Sequence, residues 1–509
     1  MSAGETRAGA ARVDVTPPPG LGMVGFVRRH QPAREVLHRL EVTALALESA
    51  GRRAVVIGVD TLGIQAPEVD ALRERVARAA DADPACVLLN WNHTHCAPAG
   101  GRTIVNLGGG VAGEPLSEAA LAYVDRLHEA VVEAARQAVA ALVPARVAWG
   151  VGEVDESVNR RERAADGRVI LGWNPDGMRD PQVVVLQARR RDDSVLCTLV
   201  GWGCHPVTVG PDVLAYSADF PGPTRDAVRA WTGGECVFVQ GAAGNILPRV
   251  AFADGAEAER VGRRLALEAL RAVADREAWP QVMSRRPDGS VTPFSLYRPV
   301  AAPAPAPIAL EAAEERVALP LLPLPSADEL ADLAAGFAAE LEAARAEGAD
   351  QGRLNTIRYH LDWARAAEAE IRSGAPRTSA DGPVTALRIG DGVIVTGPGE
   401  VSAEIGLAVR ERSPAPVTLY AGYTNGAVSY LPAASSYAAG GYEPGYGNRS
   451  FGLPAQVAPA CDRILVETGL LLAASLFPGA PAHGPEGWLA SGRLPDPPAP
   501  TAWEPPAAG

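Results

Sequence analysis

The sequence predicts an α/β protein in which a mixed β-sheet core is flanked by helices. Short apolar runs typical of buried strands alternate with longer amphipathic segments typical of helices that pack on a sheet. Glycine-containing turns also join several neighbouring strands directly, which indicates antiparallel hairpins beside strand–helix–strand units. The sheet is therefore expected to combine parallel and antiparallel neighbours.

The first part of the chain alternates strands and helices. Residues 40–47 and 54–59 form strands on either side of the turn at Gly51, and Pro67 opens a helix with one apolar face. An apolar run starting at Val87 is the next strand. The remaining predicted elements of this part are strands over 11–15, 146–151, 183–186, 195–200 and 236–240, a helix over 116–142, a helix after residue 222, and a loop that holds residues 159–161.

The composition changes near residue 280. Residues 280–380 are first rich in Ala and Pro and then in Ala, Glu and Arg, which predicts an extended segment followed by a helical hairpin. Strands over 386–389, 393–396 and 417–420 and helices over 401–412 and 455–476 follow. We therefore predict one domain over 1–477, with 280–380 as an insertion or lid within it and 478–509 as a Pro/Ala-rich tail.

The composition narrows the class of protein. A hydrophobic share of 47% and a charged share of 21% are ordinary for a soluble globular protein, and a net charge of −13 argues against nucleic acid or an anionic membrane as the partner. The N-terminus lacks the apolar core of a secretory signal, and no run approaches the length of a membrane span. The dispersed cysteines are expected to be free and buried. These features predict a cytoplasmic protein that acts on a small molecule without stable membrane insertion, and they leave the oligomeric state open.

Polar residues with metal-binding side chains follow several predicted strands. His93 and His95 follow the Val87 strand, His205 follows the 195–200 strand, and Glu400 follows the 386–396 hairpin. Two histidines two residues apart at a strand end can point to one side, because side-chain direction repeats every second residue. Two imidazoles, a carboxylate and an open position are typical of a catalytic zinc site.

Each of these residues also has an ordinary structural explanation. His205 can be a satisfied polar residue at a strand end, and Glu400 can complement the dipole of the helix that follows it. The glycine-rich turn over 241–245 lacks the patterns that bind phosphates, which argues against a nucleotide there. From the residues alone, these positions can be explained either as a metal site or as polar residues with ordinary structural roles.

Five ordered motifs resemble the catalytic domain of the neutral (alkaline, non-lysosomal) ceramidases, zinc-dependent amidases that cleave N-acyl sphingosine. The resemblance extends from about residue 10 to residue 477. The motifs are His93-Thr94-His95-Cys96-Ala97-Pro98, similar to the family's His-Thr-His-Ser-Gly-Pro; Asn159-Arg160, similar to Asn-Arg-Ser; the second histidine segment over 202–209; Pro398-Gly399-Glu400; and the spacing of Asn425, Tyr430, Tyr437 and Tyr442-Glu443.

The resemblance implies a role for seven residues. It implies that zinc is bound by His93, His205, Glu400 and Tyr430. It also implies that His95, Arg160 and Tyr442 face the substrate carbonyl and its developing oxyanion. Zinc would activate a water, Arg160 and the phenols would donate to the oxyanion, and His95 would carry a proton to the leaving amine near its ordinary pKa.

The chain departs from the family pattern at one chemically important position. The family's Gly-Asp-Val-Ser-Pro corresponds to Gly244-Asn245-Ile246-Leu247-Pro248, so its serine is a leucine here. Leucine is neither a nucleophile nor a polar contact for a lipid headgroup, whereas attack by zinc-activated water does not need the serine. The family's secreted members also continue into a C-terminal β-sandwich, which we do not expect here.

The sequence therefore predicts a zinc-dependent hydrolase of an N-acyl amide other than ceramide, with a place in specialised metabolism. Two alternatives stay open. One is an ester or lactone hydrolase, or an acyl-transferring or cyclising enzyme, that uses the same zinc. The other is a metal- or ligand-binding homologue without turnover, which Leu247 keeps in consideration.

Overall fold

The structure consists of two stacked β-sheets with helices on the outer face of each. The computed structural model describes residues 5–66, 68–102, 116–274, 281–285, 297–301 and 306–479. Within these residues the order of layers is helices, large sheet, small sheet, helices. The predicted α/β class with a mixed sheet is confirmed.

The strands lie mostly where the apolar runs are. The described strands are β1 (Arg7–Asp14), β2 (Glu35–Val36), β3 (Glu41–Ser49), β4 (Arg52–Val59), β5 (Val87–Trp91), β6 (Val143–Glu153), β7 (Ser157–Arg163), β8 (Val169–Asn174), β9 (Gln182–Arg190), β10 (Val195–Trp202), β11 (Ala215–Tyr216), β12 (Glu235–Gln240), β13 (Ile246–Pro248), β14 (Gln281–Arg285), β15 (Tyr297–Ala301), β16 (Leu310–Pro320), β17 (Ser379–Ile389), β18 (Gly392–Thr396), β19 (Glu400–Val401), β20 (Val417–Ala421) and β21 (Tyr430–Leu431).

The helices follow the amphipathic segments. The described α-helices are α1 (Glu68–Ala80), α2 (Glu118–Ala140), α3 (Pro221–Thr232), α4 (Gly255–Ala274), α5 (Ala327–Ala346), α6 (Gln351–Arg372), α7 (Ala403–Arg412), α8 (Tyr442–Gly445) and α9 (Ala460–Leu476). Each helix in this part of the chain is too short or too polar to traverse a lipid bilayer.

The large sheet has eight strands in the order β12-β10-β9-β6-β1-β3-β4-β5. The β3–β4 hairpin is antiparallel as predicted, while β5 runs parallel to β4 and β12 runs parallel to β10. The two outermost strands approach each other, because the Asn90 side chain of β5 binds the backbone of Gln240 on β12. This approach brings the loops after β5, β10 and β12 to one place.

The small sheet, in the order β16-β17-β18-β20, covers the inner face of the large one. Leu45, Leu186 and Leu199 of the large sheet share one buried cluster with Leu387 and Ile394 of the small sheet. Helices α1 and α2 pack on the outer face of the β1–β5 half of the large sheet, and α3 and α4 on its other half. Helices α7 and α9 cover the small sheet. Burial of these apolar faces from water stabilises the four layers.

The predicted helical hairpin is formed by α5 and α6. Ser326 begins α5 with a capping box, in which its hydroxyl accepts from the Glu329 N–H and the Glu329 carboxylate accepts from the Ser326 N–H. The two helices share their own buried cluster, which includes Leu330 and Leu361. Before the hairpin, β16 pairs along its whole length with β17. The domain boundaries remain a prediction, and Pro67 and residues 480–509 of the tail lie outside the described residues.

Two local predictions are wrong. Residues 159–161, expected in a loop, lie in β7, which pairs with both β8 and β13. Strand β5 ends at Trp91, so His93 and His95 lie beyond it and do not follow the alternation of a strand. His93 has a φ of +69°, and this left-handed residue turns the chain so that both imidazoles reach one place.

Candidate metal and catalytic site

His93, His205 and Glu400 converge, as the sequence predicts. The Nε2 atom of His205 lies 3.1 Å from Oε2 of Glu400, and Nε2 of His93 lies 3.4 Å from the same oxygen. All three side chains are buried. They come from the loops after β5 and β10 and from β19, which are far apart in sequence.

The opposite side of each imidazole is bonded to a backbone carbonyl. Nδ1 of His93 lies 2.6 Å from the Leu62 carbonyl oxygen, and Nδ1 of His205 lies 2.6 Å from that of Ala243. A carbonyl only accepts, so each Nδ1 carries a proton, and in the neutral form of such an imidazole Nε2 is the nitrogen with the lone pair. Metal-binding histidines are typically oriented in this way.

The donor set fits a divalent cation. Two Nε2 atoms and one carboxylate oxygen lie close together, and nitrogen and oxygen donors of these types are the ligands that zinc binds in proteins. His93, His95 and His205 also present ring nitrogens that all lie within 4.8 Å of one another. Burial lowers the pKa of His205 to about 4, so this imidazole is neutral and available as a ligand near pH 7.

His95 has no hydrogen-bond partner on either ring nitrogen among the described residues, although both nitrogens are buried. Its ring lies 5.1 Å from the His93 ring and 4.7 Å from the ring of Phe26. Gly25, with a φ of +110°, allows this position, since a Cβ there would lie 2.5 Å from Cγ of His95. Burial lowers the pKa of His95 well below its ordinary value, with help from the neighbouring histidines. The imidazole is therefore neutral near pH 7, and it is a weaker base than an ordinary histidine.

Arg160 reaches the site from β7. Its Nε donates to Oε1 of Glu443 at 2.7 Å, and its Nη1 lies 3.3 Å from Nε2 of His205. Its Nη2 is buried without a partner in the described structure. Burial opposes the charge of this side chain, but Tyr430 and the carboxylate of Glu443 outweigh it and raise the pKa above its ordinary value. A permanent cation with one free donor can bind a developing oxyanion.

Glu443 forms ion pairs with two arginines, a role that the sequence analysis does not predict. It is 1% exposed, and its Oε2 accepts from Arg161 at 2.6 Å while its Oε1 accepts from Arg160. The signal that could have identified Glu443 is its place beside Tyr442 in the tyrosine motif. A buried carboxylate between two arginines fixes their positions.

The tyrosine segment contributes three rings. Tyr423 was also assigned no role, yet its hydroxyl donates to Oε2 of Glu400 at 3.4 Å and its ring lies 4.5 Å from that of His93. Tyr430 pairs in register with Glu400 through β19 and β21, and Arg160 lies over its ring at 5.5 Å. The position of Tyr423 directly after β20 is the signal that was missed.

Tyr442 packs edge-on against Tyr430, with 5.2 Å between the ring centroids. Burial raises the pKa of Tyr442 to about 12, so its hydroxyl keeps its proton near pH 7. Its oxygen lies 3.2 Å from Oγ of Ser450. The ligand and oxyanion roles of Tyr430 and Tyr442 remain predictions.

A small cavity of about 30 Å³ opens beside the cluster. Its lining includes His93, Glu400, Tyr423, Ser450 and Phe451.

Leu247, at the position of the family's serine, is 7% exposed. It packs against Val158 and Val207, with Phe26 beside them. The Phe26 ring joins this apolar cluster to His95.

The fold is similar to that of known ceramidase structures. The chain aligns with the neutral ceramidase from Pseudomonas aeruginosa at 19% identity and a TM-score of 0.62, over 93% of this chain and 74% of that one. It aligns with a ceramidase complexed with C2 at 18% identity and a TM-score of 0.63, over 93% of this chain and 75% of that one. No model of a known protein family and no curated protein matches. The ceramidase-like fold implied by the five motifs is confirmed.

Proposed function

We propose that this protein is a zinc-dependent hydrolase that cleaves an N-acyl amide bond, and that its substrate is not ceramide. The observation that carries the proposal is the convergence of the Nε2 atoms of His93 and His205 on one carboxylate oxygen of Glu400, with both Nδ1 atoms bonded to carbonyls. His93, His205 and Glu400 would hold the ion, with Tyr430 or His95 beside them. A zinc ion bound there would polarise the acyl carbonyl and make water nucleophilic near neutral pH.

The side chains around this cluster supply the remaining chemistry of an amide hydrolysis. Net addition of water places its oxygen on the acyl carbon and its protons on the products. With Tyr430 as the fourth ligand, His95 keeps a free ring nitrogen, which takes a proton from water and returns it to the leaving amine nitrogen. Nη2 of Arg160 and the Tyr442 hydroxyl donate to the carbonyl oxygen as it becomes negative.

The apolar cluster around Leu247 supports a substrate other than ceramide. A polar headgroup placed against Leu247, Val158 and Val207 would lose its hydrogen bonds to water without replacement. An apolar group on the substrate would be stabilised there. The six free, buried cysteines fit a reducing compartment, so we propose the cytoplasm as the place of action. A role in specialised metabolism belongs to the same proposal.

Elemental analysis of the purified protein tests the metal. We expect about one zinc per chain, as in mononuclear hydrolase sites. His93→Ala and His205→Ala should lose it with the circular dichroism spectrum unchanged. His95→Ala separates the two ligand sets, since it should retain zinc if Tyr430 completes the site and lose zinc if His95 does.

Turnover by the zinc-loaded protein tests the reaction. The panel contains N-acyl amines of graded chain length, short-chain N-acyl sphingosine, esters and lactones. Cleavage of simple N-acyl amides in preference to N-acyl sphingosine supports the proposal. If only esters or lactones are turned over, the protein is an ester or lactone hydrolase and not an amidase. Zinc binding without any turnover indicates a non-catalytic homologue.

A further inference from the structure

One serine hydroxyl joins two buried tyrosines from different parts of the fold. Oγ of Ser450 lies 2.9 Å from the hydroxyl of Tyr359 and 3.2 Å from that of Tyr442. Tyr359 lies on α6 of the helical hairpin, whereas Tyr442 begins α8. Ser450 also lines the cavity beside His93 and Glu400. The hairpin is therefore connected to the site through a continuous row of hydroxyl groups.

The number of available protons decides which hydroxyl donates and which accepts in each hydrogen bond of this row. Each hydroxyl has one proton to donate. If Tyr442 donates its proton to the substrate oxyanion, its oxygen must accept the hydrogen bond from Ser450. The single Ser450 proton is then committed, so Tyr359 must donate to Ser450.

We propose that Tyr359 is a positioning residue that commits Ser450 to donate to Tyr442 and so directs the Tyr442 proton toward the oxyanion. The inference rests on the proposed function, in which Tyr442 faces the reacting carbonyl. Hydrogen bonds in such a row polarise one another, so Tyr442 also becomes a stronger donor. The helical hairpin thus contributes to the chemistry through one phenol.

Contacts other than the Tyr359 hydroxyl also hold the hairpin in place. Nε1 of Trp363, one turn further along α6, donates to the Leu453 carbonyl at 2.8 Å. The hairpin also has its own apolar cluster with α5. Tyr359→Phe keeps the buried ring and removes only the donor.

Kinetics of the zinc-loaded, full-length protein test the relay with the fastest amide of the panel. Tyr359→Phe should lower kcat about 3- to 10-fold, the loss expected for one hydrogen bond, with KM and zinc content unchanged. Ser450→Ala should show a similar or larger loss. The double variant should lose no more than Ser450→Ala alone, because Tyr359 acts only through Ser450.

Tyr437→Phe is the matched control. Its hydroxyl donates to the Val457 carbonyl at 2.6 Å, so the change removes another buried tyrosine hydrogen bond from the same segment of the fold. It should leave kcat unchanged. A loss equal to that of Tyr359→Phe would overturn the relay.

Calorimetric binding of methylphosphonate, a tetrahedral oxyanion, tests the relay without turnover. Tyr359→Phe should weaken its binding to the zinc-loaded protein by a factor similar to the loss in kcat. The relay would be overturned if Tyr359→Phe bound methylphosphonate with unchanged affinity, or if the losses in the double variant were additive. It would also be overturned if the unaltered protein did not bind methylphosphonate. Absence of turnover with these binding effects intact would overturn only the proposed reaction. If Tyr359→Phe unfolds the hairpin, Ser450→Ala decides by the same binding measurement.

Discussion

The side chain of Asn90 exchanges two hydrogen bonds with the backbone of Gln240, accepting from its N–H at 2.7 Å and donating to its carbonyl at 3.2 Å. This contact joins β5 and β12, the two ends of the large sheet. The Gln240 side chain then donates to the carbonyls of Asn92, at 3.0 Å, and Cys204, at 2.8 Å. These residues directly precede His93 and His205, so one buried amide anchors both histidine loops.

Gln240→Ala should weaken zinc binding and lower the free energy of unfolding by about 1–3 kcal/mol, because buried hydrogen-bonding groups lose their partners. Zinc titration and urea unfolding measure the two effects. Gln187→Ala is the matched control, since Gln187 is equally buried in the same sheet and donates to Thr198 at 3.0 Å. It should lower stability and leave zinc affinity unchanged. Equal zinc affinity in both variants would contradict the anchoring role.

Glu400→Gln should lose most of its zinc and its activity, because the anionic ligand is replaced by a neutral amide. Glu404 lies four residues further along and accepts from Asn245 at 2.8 Å, so Glu404→Gln is the control and should retain zinc. Elemental analysis after dialysis compares the two variants. Removal of zinc with a chelator should abolish activity in the unaltered protein, and added zinc should restore it. If both variants lost zinc, the loss would result from a disturbed fold and not from removal of a metal ligand.

Glu443→Gln should reduce the free energy of unfolding by about 3–5 kcal/mol near pH 7, since it leaves Arg160 and Arg161 buried without their carboxylate. Burial opposes the ionisation of Glu443, but the two arginines outweigh it and hold its pKa below the ordinary value of 4.5. A carboxyl with a lowered pKa stabilises the fold above its unfolded pKa, and this stabilisation is lost as the pH falls through the folded pKa.

The stability difference between the unaltered protein and Glu443→Gln should therefore be full at neutral pH and shrink below about pH 4.5. Urea unfolding at several pH values measures it. A difference that stays constant down to acid pH would show that the carboxylate charge is not what holds the two arginines.

Leu247→Ser should raise turnover of short-chain N-acyl sphingosine relative to simple N-acyl amides, because it places a hydroxyl in the apolar cluster beside His95. Leu247→Ala is the control, since it creates the same space without a polar group. Both should lower stability by about 2–5 kcal/mol through the cavity they leave. Relative turnover that changes equally in both variants would assign the effect to volume alone.

Most of the architecture could be predicted from local patterns. The β3–β4 hairpin, the α5–α6 hairpin and the alternation of strands and helices follow from turns and periodicity that act over a few residues. Residues 159–161 were misassigned because their strand is polar: Arg160 is buried through its pairing with Glu443 and not through an apolar pattern. The pairing partner lies 283 residues away.

The convergence of His93, His205 and Glu400 could be predicted, but its physical cause could not. Strand alternation does not bring the histidines together; a left-handed residue at His93 does. Gln240 carries no distinctive local signal, because its importance depends on which strand ends meet. Contacts of this kind become visible only in three dimensions.

The three proposed ligands are distributed so that two belong to loops of the large sheet and the third begins a strand beside the small one. An ion bound by all three residues would link the two sheets. During synthesis, the three-ligand site cannot form until Glu400 has left the ribosome. Binding of the metal is therefore among the last steps of folding. Loss of the ion would therefore leave the secondary structure in place but weaken the connection between the two sheets.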